Sequence, residues 1–204
     1  MTKWNRIQLV KKLGLNTENS VLVTNPHNIR SMRRFTRGWS SFSVRSFSKS
    51  QEDGRVAPHY PILNRRLHLA QALMNNYDLG FNSIVAEGID PADAVFAGAC
   101  LKTLSADRYS RLHFEIARGP GTVRRVTNDG LIDVIYTYEN KHLETHRESP
   151  VKLCDELERS WVYTIARMFD RIEKTDCIFE FSLYNCEVGY KHEHIIVWEV
   201  TPTC

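Results

Sequence analysis

Cys177-Ile-Phe-Glu-Phe-Ser-Leu183 and His194-Ile-Ile-Val-Trp-Glu-Val200 are two apolar runs near the end of the chain, each with one glutamate inside it. Strand side chains alternate between faces. Phe179, Phe181 and Leu183 therefore share one face, with Ile178, Glu180 and Ser182 on the other. In the second run Ile196, Trp198 and Val200 oppose Val197, Glu199 and Thr201. Antiparallel pairing with the aromatic faces matched sets Phe181 beside Trp198, Phe179 beside Val200, and Glu180 beside Glu199. Like charges facing each other destabilise a sheet, and one of two clustered carboxylates is pushed toward its neutral form unless a cation intervenes. A hard divalent ion such as magnesium removes the conflict. The same alternation also describes two glutamates facing solvent from a one-sided sheet, and spacing alone leaves both readings open.

The remaining composition sets bounds. A chain of 204 residues, 42% hydrophobic and 25% charged, has the make-up of an ordinary globular protein, as one domain or two lobes. A net charge of +3 is too mild to indicate nucleic-acid binding, yet it leaves room for the local positive cluster a nucleotide needs. Met-Thr-Lys-Trp-Asn-Arg leads into no apolar signal region, and no run approaches the roughly 18 apolar residues of a membrane span. The expectation is a cytoplasmic protein without a membrane partner. Five cysteines, at 100, 154, 177, 186 and 204, are odd in number and form no CxxC pair, which predicts reduced thiols.

Upstream, Trp4, Ile7 and Leu13 mark a helix ending at Gly14, and Ser20 to Thr24 a short strand. Pro26 opens a basic helix with Arg30, Arg33, Arg34 and Arg37; Ser41 to Phe47 alternates as a strand before a polar loop at 48–56. Leu67, Ala70, Met74 and Tyr77 predict a helical stripe, followed by a strand over Ser83 to Glu87. Strands are expected at Val95–Thr103, Leu112–Ala117, Thr122–Thr127 and Ile132–Tyr138, with turns at Gly119-Pro-Gly121 and Asn128-Asp-Gly130. After Ser149-Pro150 a long helix carries Cys154, Leu157, Trp161, Ile165, Met168 and Ile172. The order predicts an α+β protein with an N-terminal lobe over 1–80 and an antiparallel-sheet lobe with the long helix over 81–204.

Phe179-Glu-Phe181 followed by Val197-Trp-Glu-Val-Thr-Pro202 resembles the end of the ATP-grasp fold, where acidic or amide residues on neighbouring strands hold magnesium against nucleotide phosphates. Thr201 stands where many of those ligases carry asparagine. Phe42-Ser-Val-Arg-Ser46 with Glu52-Asp53 is similar to a segment of the phosphoenolpyruvate synthase and pyruvate phosphate dikinase branch, with a lengthened gap. Phe114-Glu115 through Arg118, Gly119, Gly121, Arg124 and Arg125 resembles that family's glutamate strand, glycine turn and basic strand. Ser83 to Glu87 stands where the family has its adenine- and ribose-binding linker, and Lys102 where it commonly keeps a phosphate-binding lysine.

The resemblance implies a two-lobed fold with a nucleotide cleft between the lobes, binding ATP and magnesium. Arg45 and Arg124 are then the catalytic arginines at the phosphates. Glu87, Lys102, Glu115, Arg118, Gly119 and Gly121 bind the nucleotide, while Glu180 and Glu199 hold the metal. It further implies a carboxylate–amine ligase or phosphotransferase acting on a small-molecule acceptor, with a homo-oligomer open. Two other readings stand beside it: a non-catalytic nucleotide-binding or sensing module, and an RNA-binding protein using the arginines at 30, 33, 34 and 37. His192-Glu-His194 is also compatible with a transition-metal site or a plain hairpin loop.

Overall fold

The computed structural model describes residues 1–49, 57–89, 93–104, 110–119, 132–147, 155–173, 176–184 and 195–203. The chain forms two compact units, Met1–Asn5 with Glu18–Pro91 and Arg6–Thr17 with Ala92–Cys204. Helix α1 (Lys3–Lys12) contributes residues to both and ends at Gly14, whose φ of 70° suits the residue that terminates a helix.

The first unit is a four-stranded antiparallel sheet in the order β1-β4-β2-β3, made of β1 (Ser20–Val23), β2 (Phe42–Ser48), β3 (His59–Leu63) and β4 (Phe81–Glu87). β4, which lies beyond the 1–80 span expected for the first lobe, pairs with both β1 and β2 inside this sheet. Pro61 falls on β3, an edge strand, where a missing N–H is tolerated. A 3-10 turn at Pro26–Asn28 leads into α2 (Ile29–Phe35), so Arg37 lies beyond the basic helix.

Helix α3 (Arg66–Asp78) covers one face of this sheet with Leu69, Ala72 and Leu73 against Phe42, Val44 and Val85. That is not the stripe expected from sequence: Leu67 is 67% exposed. Two helical stripes compete here, and the winner includes fully buried Asn76, whose amide donates to Ser46 Oγ at 2.6 Å and Ser83 Oγ at 2.9 Å. Those two serines face each other across β2 and β4, so the amide clamps the strand pair.

The second unit is a six-stranded antiparallel sheet, β10-β9-β5-β6-β7-β8. Its strands are β5 (Ala94–Leu104), β6 (Ser110–Arg118), β7 (Val134–Glu139), β8 (His142–Arg147), β9 (Cys177–Tyr184) and β10 (Ile195–Pro202). β8 is an addition to the expected set, joined to β7 by Asn140 and Lys141, both at positive φ, as a two-residue hairpin turn requires. Helix α4 (Asp155–Asp170) lies on one face, burying Val162, Ile165, Ala166 and Phe169 against Phe114, Phe179 and Phe181. Phe169 stacks on Phe179 with centroids 4.2 Å apart. Gly98 sits beneath this aromatic layer, where a Cβ would meet the Glu115 carbonyl at 2.8 Å and Phe181 at 2.9 Å. Cys100 and Cys177 are both buried as thiols. The expected strand at 122–127, the turn at 128–130, Ser149-Pro150, Cys154, the 50–56 loop and His192-Glu-His194 lie outside the described residues.

Candidate functional site

The sheet of the second unit has two faces of different character. On the face away from α4, β9 and β10 place Glu180 directly opposite Glu199 and Phe179 opposite Val200, the register expected from the two apolar runs. The partner of Phe181 is Val197, not Trp198, because a bulge makes Trp198 an extra residue. This corrects the simple alternation. Ile195, Val197 and Val200 all belong to the core layer, and the added residue returns Glu199 to the face of Glu180. The Trp198 indole donates to Ser182 Oγ at 2.8 Å on that same face.

Glu199 is 4% exposed. Its Oε2 lies 3.4 Å from an Arg6 guanidinium nitrogen, a contact spanning almost the whole sequence. Across β5, Ala99 follows Glu180, and Glu115 follows Ala99 on β6. Glu115 thus shares the acidic face, two strands from Glu180, with His113 3.8 Å away. The two paired carboxylates suit a hard divalent ion, which takes one or two carboxylates and completes its shell with water and phosphate oxygen. Among the described residues no group of three or more His, Cys, Asp or Glu converges as a self-sufficient metal cage. Thr201, one strand position beyond Val200, pairs with Ile178 on the acidic face.

Three expected nucleotide contacts are turned elsewhere. Lys102 is 1% exposed on the α4 face, and its ammonium donates to the carbonyls of Phe169 and Asp170 at 2.9 and 3.0 Å and to that of Ile172. All three donors of the ammonium are thereby used to cap the C-terminus of α4. Burial lowers its pKa, with Asp170 pulling the other way. Arg118 also lies on the α4 face, where its fork grips both carboxylate oxygens of Glu158, and the Tyr136 hydroxyl donates to the same group at 2.6 Å. The bond to Glu158 raises the Arg118 pKa, while burial first and Glu158 second raise that of Tyr136. Gly119, at φ 83°, donates its amide to Val95 O at 3.1 Å and therefore does not offer it to an anion. Gly121, Arg124 and Arg125 lie outside the described residues.

In the first unit Arg45 occupies the sheet face opposite the core residue Val44 and pairs with Glu18. Both side chains are largely buried. Glu87 ends β4, its amide bonded to Asn19 O at 3.1 Å. Gly88 follows in a tight strap in which Ser41 Oγ donates to its carbonyl at 3.1 Å. A groove of about 590 Å³ at the β8 edge, lined by Lys141, Glu144, Glu156, Arg159 and Tyr163, includes none of the expected site residues. The residue that sequence reasoning missed is Arg6. Nothing local ties position 6 to position 199, and its helix was read only for its apolar side.

Solved structures share this fold. The chain superposes on D-alanyl-alanine synthetase A from Vibrio cholerae O1 biovar eltor with a TM-score of 0.54 and 15% identity, over 98% of this chain and 55% of that one. Against the ADP complex of PurK, N5-carboxyaminoimidazole ribonucleotide synthetase, the TM-score is 0.55 at 10% identity, over 98% and 44%. Against D-alanine-D-alanine ligase from Helicobacter pylori it is 0.50 at 14%, over 100% and 51%. What they share with this chain is the fold, an ATP-grasp-like α+β architecture with two antiparallel sheets. The chain spans about half the length of these proteins. No protein-family model matches the sequence, and no curated protein does.

Proposed function

We propose that the chain binds ATP with magnesium and works as an ATP-grasp-type ligase or phosphotransferase on a small acceptor. The observation that carries this reading is the in-register pair Glu180–Glu199, with Glu199 buried, in an ATP-grasp-like fold. A buried carboxylate facing a second, half-buried one favours a cation between them. A magnesium ion there would neutralise phosphate charge when bound. Arg45, its guanidinium directed by Glu18, is the proposed phosphate contact of the first unit, in keeping with the phosphoenolpyruvate synthase-like segment around it. Glu87 is the proposed ribose contact, since a carboxylate accepts from hydroxyls.

In the ligase form an acceptor carboxylate oxygen attacks the γ-phosphorus and the bond to ADP breaks. An amine nitrogen then attacks the acyl carbon of the acyl phosphate, phosphate leaves, and the amine sheds one proton. Neither step changes an oxidation state. Such chemistry rests on positioning and electrostatic stabilisation, so it requires no nucleophilic side chain.

Thermal melts of the full chain test this. ATP with magnesium should raise the melting temperature, by the equivalent of about 2.7 kcal/mol at a hundredfold excess over Kd. Glu180→Gln combined with Glu199→Gln should remove the magnesium-dependent part. Absence of any shift at millimolar nucleotide overturns the proposal. The alternative of a sensing module draws on Thr201, whose hydroxyl is a poorer metal ligand than an amide carbonyl. Binding without ADP release across candidate acids and amines would select it.

A further inference from the structure

We propose that Arg6 is a resident counter-cation of Glu199 and that a divalent ion binding the Glu180–Glu199 pair displaces it. This rests on the reading of the pair as metal ligands. The Arg6 contact is built differently from the buried Arg118–Glu158 pair of the same unit, and more like the long, exposed contact of Arg111 with Glu139 at 3.8 Å. Arg118 meets Glu158 with two nitrogens on two oxygens. Arg6 reaches one oxygen with one nitrogen at 3.4 Å, longer than the 2.7–2.9 Å of a strong charge-assisted bond. Its Nε is buried without a hydrogen-bond partner. The arginine side chain is 35% exposed and the carboxylate only 6%, so the cation is the member with room to leave.

The electrostatics make the exchange reciprocal. Arg6 sets a positive charge on a carboxylate that is only 6% exposed, so Glu199 holds it when no metal is bound. A divalent ion brings two charges to within about 2.1 Å of a ligand oxygen, and a guanidinium on that same oxygen would be repelled. The released arginine is then a bidentate phosphate ligand on a helix beside the metal. Arg6 thereby sets a selectivity: it opposes the bare ion and accepts the ion accompanied by a polyphosphate.

The test titrates MnCl2, without nucleotide, into full-length wild type, Arg6→Gln, Arg6→Lys and Glu199→Gln, reading affinity by calorimetry and stability by thermal melting. Arg6→Gln should bind manganese on the order of tenfold more tightly than wild type, the worth of one charge-assisted contact. It should also melt lower without metal and gain more from metal. Arg6→Lys, which keeps the charge and changes the shape, should exclude the ion as wild type does, and Glu199→Gln should bind none. Equal manganese affinity in wild type and Arg6→Gln overturns the exchange while leaving the ATP reading intact. If none of the proteins responds to manganese, with ATP or without it, the metal reading fails and the exchange with it.

Discussion

The two faces of the six-stranded sheet handle charge in opposite ways. On the α4 face two buried charges are saturated: Lys102 spends its donors on three carbonyls, and Glu158 takes an arginine fork and a tyrosine hydroxyl. The other face sets Glu180 against Glu199 with Glu115 in the same row, and the arginine that reaches Glu199 does so through a single long contact. The lesson is that a buried charge alone does not mark a site. What distinguishes the acidic face among the described residues is two carboxylates set directly opposite each other and an arginine held by one long contact.

Glu158→Ala should break the saturated face most severely. It strands Arg118 and the Tyr136 hydroxyl beneath α4, and removal of one member of a buried pair costs about 3–5 kcal/mol, measurable by urea denaturation. Next comes Gly98→Ala, with an expected loss of about 1–3 kcal/mol because the new methyl meets a backbone carbonyl and the Phe181 ring.

Lys102→Met should cost about 1–3 kcal/mol through the abandoned carbonyls, and it carries a pH signature. Burial lowers the Lys102 pKa below the ordinary 10.5, so between the lowered value and 10.5 the unfolded chain binds the extra proton. Wild-type stability from this group therefore rises with pH across that window, and the methionine variant should lose the rise.

On the acidic face, Glu180→Gln should change metal-free stability least, by about 0.5 kcal/mol or less, since Glu180 is only half-buried and faces a like charge. A loss as large as that of Glu158→Ala would erase the contrast between the faces.

Much of this was legible in the sequence, for reasons that also explain the failures. Period-two alternation in two apolar runs was enough to set Glu180 against Glu199, since the core side of a strand fixes its register. The bulge escaped notice because alternation assumes one residue per step, and Trp198 is the residue that breaks the count. In α3 two stripes had helical spacing, and the deciding partner of Asn76 was a pair of serines on other elements. Lys102 and Arg118 illustrate a different limit. A lone basic residue in a strand announces its charge but not its face, and both point toward α4, whose carbonyls and Glu158 lie 40 to 70 positions away in sequence.

The bulge has a consequence for how this end of the chain tolerates change. With Trp198 counted as the extra residue, Glu199 belongs to the face of Glu180 while Val197 and Val200 both remain in the core. Replacing Trp198 by another side chain preserves that count; deleting it removes the bulge, and strict alternation then carries Val197 inward, Glu199 outward and Val200 inward, the faces they already hold. The carboxylate pair is thus insensitive to the loss of that residue, and what a deletion takes away is the local bend of the bulge and the indole bond to Ser182.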